Sequence, residues 1–409
     1  MDNDKRFVTG LDVGTENVRA VIASVDKDGK IAIVGFNEGK SAGMRKGVPA
    51  NLAGPAGAID KMLGDAERMG GYDVRSAYVS INGSTVISTH TEGMIAVGTA
   101  EHEINPDDLA RVEDIAVSGR IPVNREVLDV IPLEYALDGQ AGIKDPLGMS
   151  GARLEMRANV ISALTPNAEN LKKATAAADV QALRLVPSVV AAAKAVLTDR
   201  QKENGVAIVD MGAATTSVAV YEEGDLQYVG VIPVGSNNVT NDLAIVLAVE
   251  PELAEEIKTR FITGNFDSDK SLAIKVGKHG ERAFDRKEVE EVVKARLEEI
   301  FAEVRKRLKS ARYDQRLPEG IILTGGGAKM RDVDLFAKTC LEAAVKIGIP
   351  KGLEGVAESI EKPEFAVTVG LALFAAEESQ YAPVGGKKSK KAPKKPSEGN
   401  FLKKIFSKF

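Results

Sequence analysis

The sequence predicts an α/β protein made of two related lobes facing one cleft, with a smaller α+β unit inserted between the lobe copies. Three observations carry that prediction. A strand, a tight small-residue turn and a second strand occur twice, with Asp12 and Asp210 at matching positions. A strand-rich stretch with its own capped helix separates the two copies. Beyond the second copy, three glycines follow an apolar strand and open a helix, the context that turns backbone amides toward a ligand.

The first copy reads Phe7-Val-Thr-Gly-Leu-Asp12-Val-Gly14-Thr15 and then a β-rich run to Ile22. The second reads Val206-Ala-Ile-Val-Asp210-Met-Gly212-Ala213-Ala214-Thr215 and then a run to Tyr221. Each is an apolar strand ending in Asp-x-Gly, and each continues through another turn into a third strand, over 31–35 and 226–233. Helical stretches follow at 56–69 and 239–249. Between the copies, Asn105 and Pro106 mark a helix start whose apolar face is Leu109, Val112 and Ile115. Strands are expected around it at 86–90, 94–97, 127–137 and 154–163. A long amphipathic helix over 285–310 repeats Val289, Val292, Val293, Leu297, Ile300, Phe301, Val304 and Leu308. A further helix is expected over 333–344.

Composition narrows the function classes. Of 409 residues, 44% are apolar and 28% charged, the balance of a soluble globular protein and not of a disordered, fibrous or membrane-embedded one. The single Cys340 forms no intramolecular disulfide, and His90, His102 and His279 lie in no metal-ligand spacing, so a reducing, cytoplasmic setting is expected. The start, MDNDKRFVTG, is too polar for a signal peptide. Net charge is −5, but residues 382–409 hold nine lysines and one glutamate, a local +8, which leaves −13 for the body. An acidic body argues against nucleic acid as a partner and assigns the anionic contact to the tail.

Phosphate recognition needs close backbone approach and several N–H donors, which small residues in tight turns supply. Gly14 and Thr15 meet that need from one side and Gly212, Ala213, Ala214 and Thr215 from the other. Asp12 and Asp210 end the preceding strands, where carboxylates can hold magnesium directly or through its waters. The third element is Thr324-Gly325-Gly326-Gly327-Ala-Lys329-Met330. Glu255 and Lys258, three apart on one helix, read as a surface ion pair when taken alone.

Taken together, these elements resemble the actin and Hsp70 ATPase superfamily. Residues 10–15 look like its first phosphate loop, 210–216 like its second, 185–197 and 365–375 like its two connecting helices, and 324–330 like its adenosine segment. The stretches REVLDVIP (125–132), DPLGMSGARL (145–154) and GSNNVTNDLA (235–244) and the segment 254–258 bring the resemblance closer to the bacterial FtsA family. The resemblance implies an actin-like two-lobed fold with an FtsA-type inserted α+β subdomain and a C-terminal amphipathic helix. Its expected division is a first lobe over 1–83 and 166–204, the insert over 84–165, and a second lobe over 205–362 with a small subdomain near 242–318. A connecting helix over 363–381, a basic linker over 382–397 and a membrane-targeting helix over 398–409 complete it.

The implied cofactors are ATP and magnesium. Nucleotide contacts carry over to Gly14, Thr15, Glu16, Asn17, Gly212, Ala213, Ala214, Thr215, Gly235, Glu255, Lys258, Gly325, Gly326, Gly327 and Lys329. The family's second loop usually has two glycines and then Thr-Thr-Asp; here Ala213, Ala214, Thr215, Thr216 and Ser217 stand there. The missing acid bears on hydrolysis more than on binding, so at most slow ATP turnover is expected. The implied partners are the C-terminal peptide of the tubulin-like FtsZ, anionic lipid, further copies of the chain as a homopolymer, and other division proteins. Arg282, Arg286, Lys294 and Arg296 are the candidates for the acidic peptide. In the tail, Phe401, Leu402, Ile405, Phe406 and Phe409 share one helical face and Lys403, Lys404 and Lys408 the other. Alternatives of the same fold are a PilM-like pilus-assembly adaptor and a small-molecule kinase; the insert and the tail favour the FtsA-type reading.

Overall fold

The computed structural model describes residues 6–263, 271–275, 281–313 and 317–380. The predicted amphipathic helix with Phe401, Leu402, Lys403, Lys404, Ile405, Phe406, Lys408 and Phe409 lies outside them. The first meander is β1 (Arg6–Val13), β2 (Asn17–Val25) and β3 (Ile31–Lys40); a short ladder of β4 (Met44–Arg45) and β5 (Val48–Pro49) leads into α1 (Ala53–Gly70). β6 (Ser76–Ile81) then returns parallel to β1. The insert comprises β7 (Ile87–Ala96), α2 (Pro106–Val117), β8 (Arg125–Leu137), β9 (Gln140–Ile143) and β10 (Arg153–Leu164). α3 (Thr165–Ala176), β11 (Gln181–Pro187), α4 (Ser188–Val196) and α5 (Asp199–Asn204) lead to the second meander.

That meander is β12 (Val206–Met211), β13 (Thr216–Glu222) and β14 (Asp225–Ile232), followed by α6 (Ser236–Val246) and α7 (Pro251–Thr263). A hairpin of β15 (Ser271–Lys275) and β16 (Glu281–Asp285) precedes the long α8 (Arg286–Ser310). β17 (Ile321–Thr324), a 3-10 turn at Gly326–Lys329, α9 (Val333–Leu341), β18 (Val345–Ile347), β19 (Glu354–Gly355), a 3-10 turn at Pro363–Phe365 and α10 (Ala366–Gln380) end the described chain.

Two sheets organise these elements. The first lobe has the order β11-β6-β1-β2-β3-β19, and the second lobe and insert share one nine-stranded sheet, β18-β17-β12-β13-β14-β7-β10-β8-β9. In both meanders the antiparallel pairing brings each strand-ending aspartate to a cleft-facing edge, Asp12 opposite Arg19 and Asp210 opposite Ser217. β12 is buried along its whole length, as a central strand covered on both faces must be, which explains its unbroken apolar run. α4 and α10 pack against one another so closely that a Cβ at Gly370 would lie 1.7 Å from the Ala191 carbonyl oxygen. Only glycine fits that crossing.

Several expected boundaries move, each for a physical reason. Residues 86–90 and 94–97 are one strand, β7, and not two. Gly93, between the two expected ranges, is where α2 lies on the strand: a Cβ there would sit 2.4 Å from the Val112 carbonyl oxygen. On α2, Ile115 is 49% exposed and Ala116 is fully buried in its place, because the close helix–strand approach admits a methyl and not a butyl group. The helix expected over 185–197 starts only at Ser188, since Leu185 to Pro187 belong to β11 and pair with β6. The helix expected over 333–344 stops at Leu341, where Glu342 takes a left-handed conformation. Asn105 caps α2 as predicted, accepting from the amides of Asp107 and Asp108 while Asp108 bonds back to the Asn105 amide.

Candidate nucleotide cleft

Each lobe offers the cleft the same turn. The Gly14 amide donates to the Asn17 carbonyl at 3.1 Å, and the Gly212 amide to the Thr215 carbonyl at 2.9 Å. These two amides therefore hold the turns closed and do not point at a ligand. The Thr15 hydroxyl accepts from the Gly47 amide at 2.9 Å. The tips Thr15-Glu16 and Ala213-Ala214 face each other across a cleft of about 240 Å³.

Behind the tips stand the two carboxylates. The Ser80 hydroxyl donates to Asp12 at 2.6 Å, and the Arg19 guanidinium is 4.0 Å from its other oxygen while donating to Glu38 at 2.6 Å. Burial pushes the Asp12 carboxyl upward, and Arg19 and Ser80 pull it partly back. Asp210 is pushed up to about 7, first by burial and then by the charge of Asp12. Two buried acids, one of them raised further by the charge of the other, are a natural seat for a dication, which relieves both the burial and the repulsion. Among the described residues no cluster of three or more metal-ligating side chains occurs. A magnesium ion here would take its remaining oxygens from phosphate and water.

The predicted residues Gly14, Thr15, Glu16, Asn17, Gly212, Ala213, Ala214, Thr215, Glu255, Lys258, Gly325, Gly326 and Lys329 line this cleft together with Asp12 and Asp210. Gly235 and Gly327 stand behind its wall. A Cβ at Gly235 would meet the Ala213 carbonyl oxygen at 2.6 Å, and one at Gly327 would meet the Met211 side chain at 2.6 Å, so both are required by packing. Lys258 is not a surface residue. It is 4% exposed, and its ammonium donates to Glu255 at 2.6 Å and Thr240 at 2.9 Å. Lys329 is held by Glu364 at 2.8 Å.

Sequence reasoning missed Arg19, Glu38, Asn82 and Asn237, which also line the cleft. Asn82 donates to the Thr215 hydroxyl and accepts from the Ser217 hydroxyl, both at 3.2 Å. The Asn237 amide donates to Glu16 at 3.1 Å across the cleft. Burial raises the Glu16 carboxyl, but hydrogen bonds from Lys40 and Asn237 outweigh it and leave the group below its ordinary value. The hairpin register held the signal for Arg19, since a turn closed between Gly14 and Asn17 sets residue 19 opposite residue 12.

The four peptide candidates separate. Arg286 and Lys294 line a groove of about 350 Å³ between α8 and α9, where they are joined by Arg331, Leu335 and Phe336. Arg296 turns away, bound to Asp242 of α6 at 2.6 and 2.8 Å. Arg282 lies over the Phe284 ring, 5.0 Å from its centroid.

A family model described as "Cell division protein FtsA" matches residues 207–370, and one described as "SHS2 domain inserted in FTSA" matches residues 83–162. The cell division protein FtsA of Pseudomonas aeruginosa is 33% identical over 375 residues, covering 90% of this chain and 89% of its own. The chain belongs to the FtsA family. FtsA of Escherichia coli K12 is 31% identical over 379 residues, with 90% of each chain covered. That of Bacillus subtilis is 31% identical, covering 92% of this chain and 84% of its own. Among solved structures, the PilM-PilN type IV pilus biogenesis complex matches with a TM-score of 0.66 at 18% identity, over 90% of this chain and 98% of that one. MreB5 of Spiroplasma citri bound to ADP matches with a TM-score of 0.54 at 14% identity, over 92% and 99%. These likenesses establish the actin-like fold, and the FtsA-type insert distinguishes the chain within it. Family membership makes the chain a bacterial cell-division protein. No helix among the described residues is long and apolar enough to cross a membrane.

Proposed function

We propose that this member of the FtsA family binds ATP with magnesium in the interlobe cleft and tethers the FtsZ ring to the cytoplasmic membrane, self-associating into filaments and recruiting other division proteins. The observation that carries the reading is the pair of matched turns backed by Asp12 and Asp210. Amides at the turn tips suit the phosphates, Lys258 and Glu255 suit hydroxyl groups of the sugar, and the Gly325-Gly326 backbone leaves room for a flat base. When bound, magnesium would neutralise phosphate charge beside the two aspartates. Ala213, Ala214 and Ser217 occupy the second loop and its following strand, and none offers a carboxylate to activate an attacking water, so binding dominates over turnover.

The groove between α8 and α9 suits the FtsZ C-terminal peptide. It joins the apolar Leu297, Leu335 and Phe336 to the cations Arg286, Lys294 and Arg331, the combination an acidic amphipathic peptide requires. Residues 398–409 supply the membrane contact on the inner face of the cell membrane. One such tail binds weakly, because burying its five large apolar groups (~1.5–3 kcal/mol each at most) is offset by ordering about ten residues at ~1–2 kcal/mol each. Stable residence then comes from several tails joined in one polymer. Calorimetry with ATP, with and without magnesium, tests the cleft; absence of binding under both conditions would sink it.

A further inference from the structure

β11 is the edge strand of the first lobe's sheet, and its pairing with β6 slips between Ala182 and Arg184. The slip leaves Leu183 without a partner in register, and its side chain is 55% exposed. Bulges of this kind re-aim a side chain and are built into a fold for that purpose. Leu183 is aimed at a groove of about 390 Å³ whose floor includes Phe7, Ala77 and Tyr78 and whose far wall is Ala375 and Glu378 of α10. α10 ends at Gln380 on the rim of this groove, where the Arg6 guanidinium holds the Ser379 carbonyl. The remaining 29 residues, 381–409, start there.

We infer that this groove is the docking site of the chain's own last nine residues, through the face formed by Phe401, Leu402, Ile405, Phe406 and Phe409. Charge selects it over the groove between α8 and α9. That groove carries Arg286, Lys294 and Arg331 beside Glu290 and Asp332, an excess of one positive charge that disfavours Lys403, Lys404 and Lys408. No lysine or arginine lines the groove at α10, and its one carboxylate, Glu378, is already held by Arg184 and the Tyr78 hydroxyl, so this groove is close to neutral and does not repel the tail's lysines. Reach is ample, because about 20 residues spanned as a random coil would cover roughly 25 Å root-mean-square. Tethering at that length gives an effective concentration near ~1 mM, so an intrinsic dissociation constant of ~1 mM fills the groove about half the time. A bilayer and the groove then compete for the same apolar face. The inference rests on the reading of the tail as the membrane anchor, and the experiment separates the two.

The chain contains no tryptophan, so Phe406→Trp in the full-length protein gives a single fluorophore at the centre of the tail's apolar face. The reference is the peptide 397–409 with the same substitution, in buffer. Without vesicles, the full-length protein should emit at shorter wavelength than the peptide and resist acrylamide quenching. Adding Leu183→Glu should move the emission to that of the peptide and tighten binding to phosphatidylglycerol vesicles about twofold, the gain from freeing a half-occupied tail. Leu183→Ser, which introduces no charge, should act in the same direction, and unchanged melting curves would exclude unfolding. Leu335→Glu in the other groove should leave the emission where it was. Peptide-like emission from the full-length protein overturns the inference, as does shielded emission that Leu335→Glu moves and Leu183→Glu does not. If the tryptophan is solvated without vesicles and becomes shielded with them, docking falls and the anchor stands. If it is shielded without vesicles, released by Leu183→Glu and indifferent to lipid, docking stands and the anchor falls.

Discussion

Three consecutive glycines in the third turn make opposite demands, and substituting them one at a time separates folding from ligand binding. Gly325 has φ +86° and ψ 176°, a region open almost only to glycine. A Cβ there would lie 2.4 Å from Asp210 Oδ1 and 2.7 Å from the Met211 carbonyl oxygen. Gly325→Ala therefore combines backbone strain of about 1–3 kcal/mol with displacement of Asp210, and should lower the melting temperature by several degrees. Gly326 is different, because a Cβ built on it meets nothing within 4 Å and projects from a residue that lines the cleft. Gly326→Ala should leave the free protein as stable as the parent or up to ~1 kcal/mol more so, since the unfolded chain loses freedom. Gly326→Val fills the same space further and should abolish nucleotide binding while the protein still melts cooperatively. Paired calorimetry and thermal melts on the three variants give the answer. Parent-like ATP affinity in Gly326→Val would refute the assignment of the base to this turn, and parent-like stability in Gly325→Ala would refute the steric reasoning.

Four other outcomes follow from the geometry. Glu113 on α2 is pushed up to about 7 by burial and then by Asp114 and Asp129, so the folded state keeps a proton that the unfolded state has released. That stabilisation is complete below the ordinary value of 4.5 and is lost as pH rises through about 7; melting curves from pH 4 to 8 should show the decline, and Glu113→Gln should flatten it. Gly93→Ala should destabilise the insert by roughly 1–3 kcal/mol through overpacking against α2, read as a lower unfolding midpoint in urea. Arg331→Glu should weaken binding of an acidic FtsZ-type peptide at least tenfold by fluorescence anisotropy, whereas Arg296→Ala, which breaks the pair with Asp242, should lower stability by about 1 kcal/mol and spare the peptide. Phe406→Glu should remove sedimentation with anionic vesicles, and parent-like sedimentation would show that the tail is not the anchor.

What the sequence disclosed and what it hid divide along physical lines. Strand and turn chemistry is local, so the two meanders, their Asp-x-Gly ends and the Asn105 cap were all readable from residue order alone. Contacts between distant segments were not. Two strands were expected where there is one, and nothing in the neighbourhood of Gly93 reveals that α2 presses on it. Ile115 and Ala116 exchange places for the same reason, with close approach overriding hydrophobicity. Gly235 and Gly327 resemble ligand-approach glycines by type, yet each is demanded by a carbonyl or side chain of the second copy's turn. Lys258 passed for a solvated charge because its burial depends on Ser236 and Thr240, which lie on the preceding helix. The cleft's polar cross-connections through Asn82 and Asn237 had no local signature at all.

The nine-stranded sheet carries a mechanical consequence. The insert leaves and re-enters the chain within the first lobe, yet its strand β7 pairs with β14 of the second lobe at Ile87 and Gly230. The seam is reinforced where Ser88 exchanges hydrogen bonds with Val229, Asn159 donates to the Leu226 carbonyl at 2.7 Å and Lys144 meets Asp225 at 2.7 Å. Without the insert, β14 would be an open edge inviting a neighbouring chain. With it, the insert hangs from one lobe by covalent bonds and from the other by one backbone pair and the side-chain bonds around it. Any hinge motion that widened or narrowed the cleft would therefore have to carry the insert with it or break this seam.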